Sequence, residues 1–376
     1  MSVVTSATPG VEAGAAHDRR GSWLPTGAMI TTRIMELRKR RGLMAALAVV
    51  NIGIPTIFLT IRLIAHAVAP KSYGPAGGYE IFSALVAGVL FVFGFIVAAT
   101  VGCTAGSIDL SEGMFRHLVI TGRSRLALYF ARIPAGLAIV VPMVAVGFTI
   151  VCAVCVFAAP TKLYYQGIEV PAGLSQTGFE NWASQHPLDV VCGFPYREPI
   201  GVPCGIRPDG KIVTPPGTNI HTIPLSTLKA DAVKIARGLY SDYSSRFLSP
   251  STSLMVKSGL WIELEAIIGF IVGLGLASLM GQRTVPVIMM IVLEIILTPL
   301  FARAAIPHLI NFQRGLVGLA TAHLEPSGLP QVFGGGGPGG GSQLVPESTT
   351  VAVLVIAAWL VGWTALGAWR MATRDA

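Results

Sequence analysis

"IFSALVAGVLFVFGFIVAATVGC", residues 81–103, carries no charged side chain. A helix rises 1.5 Å per residue, so about 20 apolar residues cross a hydrocarbon core of roughly 30 Å. The apolar residues run on without alternating, which reads as helix and not as barrel strand. Comparable runs recur at about 43–67, 133–158, 259–280, 285–304 and 350–369. The chain of 376 residues is 52% hydrophobic and 12% charged, with a mean hydropathy of +0.66. A soluble domain carries roughly a quarter charged residues. The expected fold class is therefore an all-α polytopic membrane protein with six transmembrane helices.

The segments between the runs divide the chain. Residues 1–27 read as a disordered N-terminal tail rich in Gly, Ala and Ser. Residues 28–42 read as an amphipathic interfacial helix, with Ile30, Ile34 and Leu37 on one face. Arg33, Arg38, Lys39, Arg40 and Arg41 surround and follow that face. Residues 43–158 hold spans one to three, with a helix at 109–121 between the second and third. Residues 159–257 form an insertion of small α+β character. Within it, Pro208-Asp209-Gly210 turns a hairpin, and 226–247 has helical spacing. Residues 258–304 hold spans four and five. Residues 305–349 hold a short re-entrant or surface helix and a Gly-rich linker at 334–341. Residues 350–376 form span six and a tail.

Short basic segments fix the expected orientation. The cluster Arg38-Lys39-Arg40-Arg41, with Arg116, Arg123, Arg125, Arg132, Arg283, Arg370 and Arg374, falls on one side. That side is expected to be cytoplasmic, with both termini, in a multi-pass protein of the cell (plasma) membrane. The formal charge of +8 then reflects topology and anionic lipid, not nucleic-acid binding. The insertion is extracytoplasmic on this reading, where Cys192 and Cys204 would close a disulfide loop.

Residues 110–132, "LSEGMFRHLVITGRSRLALYFAR", interrupt the apolar pattern with one Glu, one His and four Arg. Asp109 is placed to N-cap a short helix, and Glu112 three residues on completes a capping-box pattern. Glu112 and Arg116 stand four apart and can pair. Gly122 can end that helix, and Ser124 can cap the one that enters span three.

The run Glu112, Gly113, Arg116, Leu118, Gly122, Ser124, Arg125, Leu128 and Arg132 resembles the pattern after the second span of type-2 ATP-binding cassette (ABC) exporter permeases. The resemblance extends over about 28–371. The long insertion and the Gly-rich linker depart from it. It implies that 109–121 is a coupling helix on which a separate ABC ATPase subunit docks. Glu112, Met114, Phe115, Arg116, Arg123 and Arg125 would form that dock. It further implies a second permease copy, identical or different, and ATP with Mg bound only on the partner. The chain itself is expected to hold no cofactor or metal. It lacks Gly-x-x-x-x-Gly-Lys-Ser/Thr, His-Glu-x-x-His and Gly-x-Ser-x-Gly, so no enzymatic activity of its own is expected.

Charged residues inside spans are the remaining candidates. Glu294 lies about 15 Å into span five, with Thr298 one turn on. Arg62, Glu263, Glu265 and Arg303 lie at matching outer depths, where ion pairing is expected. The competing function is an ion-coupled transporter or channel using Glu294.

Overall fold

The computed structural model describes residues 23–69, 76–111, 124–160, 162–165, 168–171, 173–193, 205–206, 212–213, 225–245, 249–302, 308–330 and 345–373. Among these residues, six helices are long and apolar enough to cross a membrane. They are preceded by helix α1 (Gly27–Lys39). The six are α2 (Arg41–Val68), α3 (Tyr79–Asp109), α4 (Arg125–Phe157), α8 (Thr252–Met280), α9 (Thr284–Ala302) and α12 (Thr349–Thr373). Between α4 and α8 lie β1 (Lys162–Tyr165), β2 (Ile168–Pro171), α5 (Gln176–Gln185), α6 (Pro187–Gly193), β3 (Gly205–Ile206), β4 (Ile212–Val213) and α7 (Leu225–Ser245). Two short helices, α10 (Ile310–Arg314) and α11 (Val317–His323), stand between α9 and α12.

The spans alternate in direction. Arg125 at the start of α4 donates to the Ala372 carbonyl of α12 at 3.2 Å. The Gly78 amide, at the other end, donates to the Cys155 carbonyl near the end of α4 at 2.9 Å. Helix α1, whose Arg33 bonds Asp109 at the end of α3, therefore shares one end of the bundle with the end of α12.

Helix α8 is the axis of the bundle. Of its most apolar window 72% is buried, against 22% for α2 and for α12. Its neighbours are α3, α12 and α4. The reason is a pair of small-residue motifs, Gly102-x-x-x-Gly106 on α3 and Gly269-x-x-x-Gly273 on α8. A Cβ on Gly102 would lie 2.0 Å from the Phe270 carbonyl oxygen, and one on Gly273 would lie 2.5 Å from the Ala99 carbonyl oxygen. The backbones thus touch where side chains would hold them apart. In lipid, packing rather than apolar burial holds helices together, so this contact carries much of the α3–α8 association.

Three spans contain a wide π turn, at Val49–Gly53, Val86–Leu90 and Val292–Leu297. Such turns occur often at functional positions. The insertion has a core of its own, built from Val170, Phe179, Ala183, Ile235 and Ala236 among others. Phe179 stacks on Tyr243 at 4.1 Å, and the Tyr243 hydroxyl donates to the Pro171 carbonyl at 2.8 Å. Strands β1 and β2 pair antiparallel, as do β3 and β4 across the expected hairpin. Residues 226–245 lie within the observed α7, with Leu228, Ala232 and Ile235 buried.

Gly273→Val should force the α3 and α8 backbones apart and destabilise the protein by about 1–3 kcal/mol. Gly362→Ala, at a position with open space around it, should be near neutral. Denaturant or thermal unfolding of both variants in detergent checks the contrast.

Candidate functional site

The most heavily charged buried site lies at the end of the bundle shared by α1 and the end of α12. Asp109 is fully buried near the end of α3. Its two oxygens accept from Arg33 on α1, Nη1 to Oδ1 at 2.7 Å and Nη2 to Oδ2 at 2.5 Å. Arg132 on α4 donates to the same Oδ2 through its Nη2. The Nη1 of Arg132 is held by the Gly106 carbonyl at 3.0 Å. Glu36, one turn along α1, accepts from Arg33 Nη1 at 2.6 Å.

Two arginines and two carboxylates thus form a neutral group of four. Asp109 and Arg132 are all but inaccessible and Arg33 is nearly so. Burial alone would weaken the charge on Arg33, but hydrogen bonds and attraction from Asp109 and Glu36 hold its pKa above the ordinary guanidinium value. Removing one member of a buried ion group leaves the others charged and unsatisfied, at a cost of about 3–5 kcal/mol.

This arrangement corrects the expected role of Asp109. It lies inside the span helix, which continues to Ser111, and its carboxylate binds two arginines instead of capping a new helix. Arg33 likewise turns inward from α1, although the spacing placed it outside the apolar face. Ser124 does stand at the N-cap of α4, but its hydroxyl makes no capping bond. Arg125 ties α4 to α12. Of the proposed docking residues, Glu112, Met114, Phe115, Arg116 and Arg123 lie outside the described residues. So do Arg303 and Cys204, and the Cys192 side chain is not described.

What the structure adds is the mounting of the 110–124 segment. Its two roots, the end of α3 and the start of α4, are joined through Asp109 and Arg132, and α1 is locked across them through Arg33. Such a group can transmit a push on the segment to two spans and α1 at once. The sequence signal was available, since Asp109 is the sole charged residue of 81–109 and a lone buried carboxylate requires a partner.

A second polar site lies inside the bundle. Glu294 and Thr298 are buried in and just after the π turn of α9, and Glu265 is buried on α8. Helix α11 packs against them. A Cβ on Gly318 would sit 2.6 Å from Thr298 Oγ1 and 2.8 Å from Glu294 Oε2. The Thr298 hydroxyl itself donates to the Leu293 carbonyl at 2.9 Å. On the α8 side, Trp261 donates its Nε1 to the Thr321 carbonyl at 2.8 Å and stacks on Phe91 at 4.4 Å. Residues 317–322 of the segment are all buried.

Among the described residues no ion pair joins Arg62 to Glu263 or Glu265, and the fourth member of the expected cluster, Arg303, lies outside them. Among the described residues, both oxygens of the half-buried Glu263 lack a hydrogen-bond partner, and so does Oε2 of Glu265. Glu263 and Glu265 stand two apart on α8 and so point in different directions. Among the described residues no group of three or more His, Cys, Asp or Glu could hold a metal ion.

Asp109→Asn should lower stability by about 3–5 kcal/mol. Removing Arg33 as well, with Arg33→Gln, should cost less than the sum of the two single changes, because the cation that loses its carboxylate in the first variant is then gone. Unfolding of the single and double variants in detergent measures the coupling. No family model, curated protein or solved structure matches the chain, so its function is read from these residues and their geometry.

Proposed function

We propose that the chain is the membrane-spanning permease subunit of an ABC exporter. It moves a hydrophobic or amphipathic substrate out of the cytoplasm or the inner leaflet, and a separate ATPase subunit docked at 109–121 drives it. The observation that carries the reading is the buried Asp109 group, which makes α1, α3 and α4 one body at the root of the 110–124 segment. A partner that closes on ATP needs a stiff mount if its motion is to reach the spans. The run from Glu112 to Arg132 supplies the resemblance, and the absence of a phosphate loop requires the engine to be another chain.

The finer features follow from that reading. Helix α1 lies at the cytoplasmic interface, and both termini are cytoplasmic. Residues 159–257 lie outside the cell membrane, with Cys192 and Cys204 joined there. A second permease copy, identical or homologous, completes the substrate path, and ATP with Mg binds the ATPase alone. Exposed apolar residues of α2, such as Ile57, Ile61 and Ile64, face lipid or that second copy.

Glu294, with Glu265 beside it, favours a second reading, a transporter driven by an ion gradient. The two separate cleanly. Purified alone, the chain should hydrolyse no ATP. Co-expressed with its cognate phosphate-loop ATPase, it should form a stable complex, and Arg116→Glu or Phe115→Ala should weaken that complex and its transport. Normal assembly and pumping by those variants would refute the dock. Transport driven by a pH gradient without ATP, and lost in Glu294→Gln, would favour the second reading.

A further inference from the structure

Glu294 is 1% exposed, and its nearest donor, the Thr298 hydroxyl, is shared with the Leu293 carbonyl, to which it donates at 2.9 Å. Glu265 is equally buried; it bonds Thr321 on one side and has no partner for Oε2. Both carboxyl groups meet α11, Glu294 at Gly318 and Glu265 at Thr321, one turn apart on that helix. No lysine, arginine or histidine among the described residues pairs with either. Glu263 stands two residues from Glu265 and so belongs to another face of α8. The helices that carry the pair also share an apolar cluster, with Ile268 of α8, Met290 of α9, and Val317 and Ala320 of α11.

A buried carboxylate without a donor is costly, and two that repel each other are worse. Of the charge states open to such a pair, the doubly ionised one is the least favourable. A proton removes one charge and can move between the two groups. The small residue at 318 shows how closely this site is read by its neighbour. A Cβ there would lie within 2.8 Å of Glu294 Oε2, so α11 rests directly on the carboxyl. The π turn at Val292–Leu297 supplies a backbone able to shift register under that load.

We propose that Glu265 and Glu294 form a proton-binding pair in the middle of the bundle, and that its charge state sets the seating of α11. One proton from bulk water adds to a carboxylate oxygen and leaves the same way. The inference goes beyond the exporter reading and needs no ATPase, so its failure leaves the dock untouched.

The test is labelling with dicyclohexylcarbodiimide, which adds to protonated carboxyl groups in apolar surroundings, on the full chain in lipid nanodiscs. Mass spectrometry of peptides locates the adduct. The expected result is an adduct on Glu265 or Glu294, falling about tenfold for each pH unit above a midpoint. Glu265→Gln should move the Glu294 midpoint to lower pH, because it removes the repelling neighbour, and Glu294→Gln should do the same for Glu265. Gly318→Ala, which presses on Glu294, should change its labelling without removing a titrating group. No adduct at any pH, or midpoints indifferent to the partner's replacement, would overturn the proposal. So would suppression of labelling by sodium at fixed pH, which would mark a sodium site. Should a Gln variant fail to fold, infrared titration of the wild type decides. In an interacting pair the band of each carboxyl changes in both titration steps, whereas the band of an independent group changes in one.

Discussion

Burying Asp109 imposes a constraint that three elements must satisfy together. A carboxylate at the end of an apolar span is tolerated only if cations reach it. Arg132 reaches it from α4, and Arg33 reaches it from α1, which precedes the first span in sequence. The chain therefore closes a loop of long sequence separation at this point. Helix α1 is fixed on the bundle not by its apolar stripe alone but by a guanidinium that enters it.

The same end of the bundle is tightened by backbone contact. The Gly106 carbonyl accepts from Arg132 and lies against the Ser278 hydroxyl at 3.5 Å, so one glycine serves the ion group and the α3–α8 seam. The seam runs on through Gly102 and Gly273 and sets how deeply α8 sits. Helix α8 in turn supplies Trp261 and Glu265, which meet α11. The charged end and the carboxyl pair are thus joined by one helix, packed without slack along most of its length.

The six spans were legible because lipid leaves few choices. A run such as 81–103 can only be helix, and basic segments mark one side. The spans extend beyond their apolar cores, α4 starting at Arg125 and α8 at Thr252, because polar residues continue a helix once it leaves the hydrocarbon. That Asp109 needs a partner was legible from its isolation in 81–109, but which groups meet it was not. A capping box and the last turn of a span use the same residue types, and only the approach of Arg33 from 76 residues away tells them apart. Depth alone also did not bring Arg62 to Glu263 or Glu265. Equal depth does not make two side chains face each other, and residues two apart on a helix diverge. The glycine motifs on α3 and α8 were visible as letters, but their meaning depends on each finding the other.

The central claim is that Asp109 fastens α1 across the roots of the 110–124 segment as one rigid body. Pulsed electron paramagnetic resonance between spin labels at Met35→Cys on the exposed side of α1 and Thr373→Cys at the end of α12 measures it directly. The account predicts a single narrow distance distribution that broadens when Asp109 is replaced by Asn. A distribution that stays equally narrow in that variant would contradict it.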